Sequence, residues 1–236
     1  TTAGLAGQAP KAPHHLLDLL RKLLRLLPYI EQQQSVLSRS VRVPMRALLH
    51  LLFALRPFGA SLPDLAALTE LLVRLVEQGH APLLELIYAL ELVYAAQPET
   101  LGGKHLAVLC GLLTAAQTSL DVFGAVAGLL ARLVESGRHE QLLLSAALPK
   151  KVLAVSCLAA HPAFLACQFY AQRRSEPSHA AFCQLLRLAT ALLFCLRPSA
   201  QLLQFGCGFV AKFQQRLEAV LSLDAAAGAG EISGQF

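Results

Sequence analysis

Apolar residues recur along this chain at the spacing of one helix face almost throughout, and the alternation of a half-buried strand is not sustained over any useful length. From His14 to Leu27 the polar positions Asp18, Arg21, Lys22 and Arg25 fall at i, i+3, i+4 and i+7, and leucines fill the remaining face. This predicts a helix with a wide apolar stripe and a narrow basic back, ended by Pro28, with a second helix over Tyr29 to Ser40. Proline in a first helical turn lacks a donor that would be unpaired anyway, and glycine just past a last turn accepts a left-handed cap. That punctuation predicts helices from Pro44 to Arg56, from Ser61 or Pro63 to Gly79, from Pro82 to Ala96, from Lys104 to Gln117, and from a Ser119 cap to Gly137. Further helices are expected over Arg138 to Leu148, Lys150 to Ala160, Pro162 to Arg173, Ser178 to Leu196 and Ser199 to Leu223.

The starts at Pro44, Pro82 and Ser119 are 38 and 37 residues apart, a spacing found in solenoids built of helix pairs. Two phrases recur: "LLVRLVEQG" (Leu71 to Gly79) returns as "LLARLVESG" (Leu129 to Gly137), and "LLFALRP" (Leu51 to Pro57) as "LLFCLRP" (Leu192 to Pro198). Their offsets, 58 and 141, are not multiples of that spacing, which fits convergent helix endings as well as repeat copies. The expected fold is all-α, an irregular α-solenoid of antiparallel helix pairs with about ten to twelve helices, the alternative being a compact orthogonal bundle. Residues 1–13 read as an N-terminal extension, 14–223 as a single helical-repeat domain and 224–236 as a flexible tail.

Composition changes the picture of the surface. The 236 residues are 55% hydrophobic and 15% charged, where an ordinary soluble domain has about 25% charged. Disorder is excluded for most of the chain, and so are collagen-like and low-complexity classes. The longest stretch without charge, Val152 to Gln172, has 21 residues and is interrupted by His161-Pro162, so no transmembrane span is expected. The chain opens on Thr1 rather than Met, which leaves room for a targeting presequence already removed. Cys110, Cys157, Cys167, Cys183, Cys195 and Cys207 lie in apolar surroundings with no C-x-x-C pair, and read as reduced core residues in a reducing compartment.

No motif names a reaction. Eight histidines include no H-x-x-x-H pair that would set two metal ligands on one helix face; they read as solvated or satisfied, with His14 and His15 facing solvent. "LGGKH" (Leu101 to His105) fails as a phosphate loop because Pro98 stands at the first glycine and His105 at the hydroxyl position. "GCG" (Gly206 to Gly208) follows no strand and is better read as close helix packing, and "GAS" ending at Ser61 is no nucleophile elbow. Glu70 and Glu77 flank Arg74 at intrahelical pairing distance rather than forming an acid-base dyad. The expectation is a non-enzymatic protein without metal or cofactor.

Charge is partitioned along the chain: net +6 over residues 1–60, −5 over 61–149 and +4 over 150–236. Basic ends around an acidic centre fit a connector better than a uniformly basic clamp. The residues expected to meet RNA or an acidic partner are Arg21, Lys22 and Arg25; Arg39, Arg42 and Arg46, lining a turn broken by Pro44; Lys150 and Lys151; and Arg173 and Arg174. Tyr29 and Phe53, the nearest aromatics, read as core rather than base-stacking residues. Contact of the His14 to Leu27 helix with a membrane surface is a lesser expectation, because the rest of the chain supplies helices to bury those leucines.

From Pro44 to Gly137, the helix-pair spacing and phrases such as "LLHLLFAL" and "LLELIYALELVYAA" resemble the degenerate helical-repeat proteins of mitochondria and plastids, similar to octotricopeptide-type and FAST-kinase-like repeats. The resemblance covers under half the chain, lacks the tryptophan signatures of the better-defined families and carries over no functional residues. It implies organellar RNA metabolism or a ribosome-associated scaffold in the mitochondrial matrix. Taken with the composition, it leads to the expectation of a non-catalytic scaffold subunit of a mitochondrial ribonucleoprotein, held by protein subunits. The alternatives are a direct RNA-binding repeat protein and an adaptor of a cytosolic or nuclear complex.

Overall fold

The computed structural model describes residues 13–32, 42–55, 65–79, 83–115, 118–157, 176–212 and 214–215. These residues are helical with no strand among them. In chain order the helices are α1 (His14–Gln32), α2 (Arg42–Leu55), α3 (Ala66–Glu77), α4 (Leu83–Ala96), a 3₁₀ turn (Pro98–Thr100), α5 (Gly103–Thr114), α6 (Leu120–Glu135), α7 (Glu140–Ser145), α8 (Leu148–Cys157), α9 (Glu176–Phe194) and α10, residues 200–212. The chain divides into two compact units, Thr1–Val108 and Leu109–Phe236, with the boundary inside α5.

Pro28 does not end the first helix. It removes one backbone donor, but its fixed φ is itself helical, and α1 runs through it to Gln32, so Tyr29 to Gln32 belong to α1 and not to a separate element. The expected helix over Pro162 to Arg173, the remainder of Tyr29 to Ser40 and the tail beyond 215 lie outside the described residues.

In the first unit α1 packs on α2, and α4 packs on both α2 and α3. Their leucines fill one interior, with Leu20, Leu48, Leu55, Leu72, Ile87 and Leu90 at most 0% exposed. Gln97, at the end of α4, accepts a 2.9 Å hydrogen bond on Oε1 from the Leu65 N–H, so a residue of one helix satisfies the entrance of another.

The second unit is built on α6, which is apolar nearly all round and therefore buried on nearly every side. Its principal partner is α9. The two approach closely because Gly124 has no side chain: a Cβ there would lie 3.3 Å from the Ala181 Cα. Ser119 caps α6 as expected, its hydroxyl accepting from the Val122 N–H at 3.4 Å. At the outer end of the α6–α9 pair, Arg187 Nε and Nη2 donate to the two oxygens of Glu135 at 2.7 and 2.6 Å. Gly206 and Gly208 let α10 settle against Leu193 and Leu153, whose methyl carbons would lie 3.0 and 3.1 Å from an added Cβ.

Three helix ends share one geometry. Gly79 after α3, Gly137 after α6 and Ala147 after α7 have φ of +70°, +65° and +54°. Each donates its N–H to the carbonyl three residues back, Val76, Val134 and Leu144, at 3.0 Å. At Ala147 there is no spare residue, since its carbonyl accepts the Lys151 N–H that opens α8. Glycine takes this conformation without strain, whereas an L residue in it costs about 1–2 kcal/mol.

Two substitutions should therefore act in opposite directions. Gly137→Ala, with nothing within 4 Å of the new Cβ, loses about 1 kcal/mol for conformation alone. Ala147→Gly gains about 0.5 kcal/mol, the relieved strain exceeding the added freedom of the unfolded chain. Urea unfolding followed by circular dichroism reads both signs.

Candidate functional site

The first candidate surface is α1. Counting about 100° per residue, Arg21, Lys22 and Arg25 fall within a sector of about 100°, and all three are exposed. Arg21 Nη1 donates to Asp18 Oδ1 at 3.1 Å, with both side chains more than half exposed, so water screens the pair and it adds little to stability. Leu17 and Leu20 turn inwards and are buried. Leu19 and Leu26 do not: they are 48% and 52% exposed.

The second basic set is not the turn expected around Pro44. A helix accepts proline in its first turn, so α2 begins at Arg42, before Pro44, and Arg42 and Arg46 stand four residues apart on one helix. Arg46 is exposed and its Nε lies 3.6 Å from Glu85 Oε1 of α4. Arg39, Arg173 and Arg174 lie outside the described residues. Lys150 and Lys151 are consecutive on α8, the first exposed and the second half-buried. Among the expected residues, the structure thus gathers Arg21, Lys22 and Arg25 on one helix and Arg42 and Arg46 on another.

Other expectations change with the helix phase. Phe53 is 65% exposed rather than core, and Phe194, at the same place in the recurring phrase, is 81% exposed. Each directly follows a pair that turns towards the interior, Leu51 with Leu52, both buried, and Leu192 with Leu193, buried and half-buried, and so points away from it. Cys110 is buried, but Cys183, Cys195 and Cys207 are exposed thiols on outward positions. The side chains of Cys157 and Cys167 lie outside the described residues. His14 and His15 face solvent.

A third place was missed. His105, nearly buried on α5, accepts the Gly102 N–H on Nδ1 at 3.3 Å and holds Glu70 of α3 at 2.8 Å from Nε2. The backbone donor at Nδ1 puts the proton on Nε2, which therefore donates to the carboxylate. Lys104 reaches Glu77 of α3 at 3.7 Å beside it. Both glutamates thus have partners on α5. Beneath them lies Tyr94, its ring centroid 6.2 Å from that of His105 and its buried hydroxyl without a hydrogen-bond partner among the described residues. No local motif signals this cluster, because 35 residues separate Glu70 from His105.

The geometry decides what the cluster does. With one ring nitrogen accepting a backbone donor and the other donating to a carboxylate, His105 presents no free lone pair, and the group works as a clamp between α3 and α5. The His105 hydrogen bond holds the Glu70 carboxyl below its usual range against the opposing cost of desolvation, with lesser help from the positive charges of Lys104 and Arg74. Burial, with a smaller push from Glu70, raises the Tyr94 hydroxyl well above the phenol range. Among the described residues there is no group of three His, Cys, Asp or Glu side chains placed to hold a metal ion.

Two measurements check this cluster. Tyr94→Phe deletes an unpartnered buried hydroxyl and should stabilise the protein by about 1 kcal/mol, read as a raised Tm. Because Glu70 is depressed in the folded state, its contribution is present above its unfolded value of 4.5 and lost as pH falls through the lower folded value. Glu70→Gln should therefore lower the urea midpoint at neutral pH, and the gap to the parent should close below pH 4.5. Compared with family models, curated proteins and solved structures, the chain matches none.

Proposed function

We propose that this protein is a non-catalytic helical scaffold that works inside a larger assembly, a mitochondrial ribonucleoprotein, with its helices stacked as an irregular solenoid. The observation that carries the reading is that both terminal described helices keep apolar stripes exposed: Leu19 and Leu26 on α1, and Leu203 and Val210 on α10. A solenoid needs polar outer faces on its terminal repeats to stay dissolved alone, and these stripes are what a subunit covered by neighbours would carry. The packing of α2 on α4, two helices further along, supports stacked pairs. Basic chain ends support a polyanionic or acidic neighbour. Among the described residues no helix is long and apolar enough to cross a membrane, which leaves protein contacts as the natural cover for the stripes.

The test is size-exclusion chromatography of native material at low and high salt, with absorbance at 260 and 280 nm and identification of what co-elutes. Protein partners that persist at high salt are expected, because apolar contact is not screened. Nucleic acid that is lost at high salt would favour direct RNA binding. A well-behaved monomer at both salts, with nothing bound, would overturn the scaffold reading.

A further inference from the structure

The exposed leucines of α1 have a register. Leu16, Leu19, Leu23 and Leu26 follow i, i+3, i+7 and i+10, the seam of two heptads, and at about 100° per residue they occupy a strip about 80° wide. Leu19 and Leu26 are 48% and 52% exposed, and Leu16 and Leu23 are partly so. The other half of the leucine face, with Leu17 and Leu20, is consumed by packing inside the first unit. Along the opposite border of the strip run His15 and Lys22, at the positions that flank a coiled-coil seam. One step further round, Arg25 shares its heptad position with Asp18, whose carboxylate is engaged by Arg21 at 3.1 Å and leaves Lys22 and Arg25, among the described residues of this face, as the charges free to meet a partner. His15, Lys22 and Arg25 are exposed.

We infer that this strip is a docking seam for one amphipathic helix of a partner protein, and that the partner carries glutamate or aspartate beside its own leucines. The inference rests on the scaffold reading and names the partner's chemistry. Three arguments select this occupant. A helix lying on a lipid surface inserts a broad apolar face, whereas here half of that face is already buried in the protein and only a narrow strip is left, which suits knobs from one helix. A second copy is disfavoured, because a two-fold pairing of antiparallel α1 helices would set each Lys22 flank against the other. An RNA strand would use the basic flank but leave Leu19 and Leu26 in water.

The test uses the full chain and two labelled synthetic peptides of about three heptads, both with leucine in the seam, one flanked by glutamate and the other by lysine. Fluorescence anisotropy should show saturable binding of the glutamate peptide, weakening with salt, and little binding of the lysine peptide. Leu19→Ser and Leu26→Ser should each weaken binding by about tenfold, since each removes a leucine from the buried seam. Both leucines are half exposed, so the fold should survive these changes, and circular dichroism checks it. The double variant Lys22→Glu with Arg25→Glu should exchange the preference in favour of the lysine peptide. Equal affinity for both peptides, absence of binding, or stronger flotation with phosphatidylserine vesicles in a manner dependent on Leu19 and Leu26 would overturn the inference. Failure here with protein partners still co-eluting at high salt would remove α1 as the docking seam and leave the scaffold reading intact. Failure together with a lone monomer would remove both.

Discussion

A chain that is 55% hydrophobic and 15% charged cannot give every helix a polar back. That shortage governs the rest of the structure. The few polar groups are spent where helices meet or end: Gln97 on the entrance of α3, Ser119 on that of α6, His105 between α3 and α5, and Arg187 against Glu135 at the end of the α6–α9 pair. The apolar groups left over stay outside, as stripes on α1 and α10 and as Phe53 and Phe194 on α2 and α9, and the proposed scaffold reading rests on the stripes. Burial of such stripes against another chain is favourable in proportion to the apolar area covered, whereas leaving them in water gains nothing.

What could be read from the sequence was local. The helical period, the Ser119 cap, the glycine ends at Gly79 and Gly137 and the close packing at Gly206 and Gly208 all follow from chemistry within a few residues, and the structure carries each of them. Pro28 misled because a proline's cost to a helix is local and finite, so α1 passed through a signal that ordinarily stops one. Phe53 and three of the cysteines misled for a different reason. Apolar character predicts burial only when the residue is in phase with its helix's inward face, and a phrase such as "LLFALRP" holds inward and outward positions side by side.

The candidate sites divide in the same way. Arg21, Lys22 and Arg25 were legible as a face because they belong to one turn and a half of one helix. The clamp of Glu70 with His105 was not, because helices distant in sequence must be brought together before those groups become partners, and nothing within either segment marks the other. Whether a basic cluster is available to a ligand is equally a tertiary property: Arg46 looked like Arg21 in the sequence, yet it stands beside Glu85 of another helix.

The recurring phrase of α3 and α6 shows what such a chain repeats and why. In both copies the residues before the glycine follow the same order of buried and exposed positions, with Arg74 and Arg132 outward and the two residues after each of them inward. In both, the final glutamate reaches a basic residue of another helix, Glu77 to Lys104 and Glu135 to Arg187. Both end on a glycine with positive φ. The 58-residue offset does not match the helix-pair spacing, and shared packing demands account for the likeness as well as repeat copies would. A helix buried on most of its circumference has room for charge only on its narrow outer edge and at its last turn, where a glutamate needs a cation from a neighbour. Its unpaired final carbonyls need a left-handed cap. Any sequence that places a helix at the centre of a leucine-rich unit meets those requirements together, and "LLxRLVExG" is one answer that satisfies all of them at once.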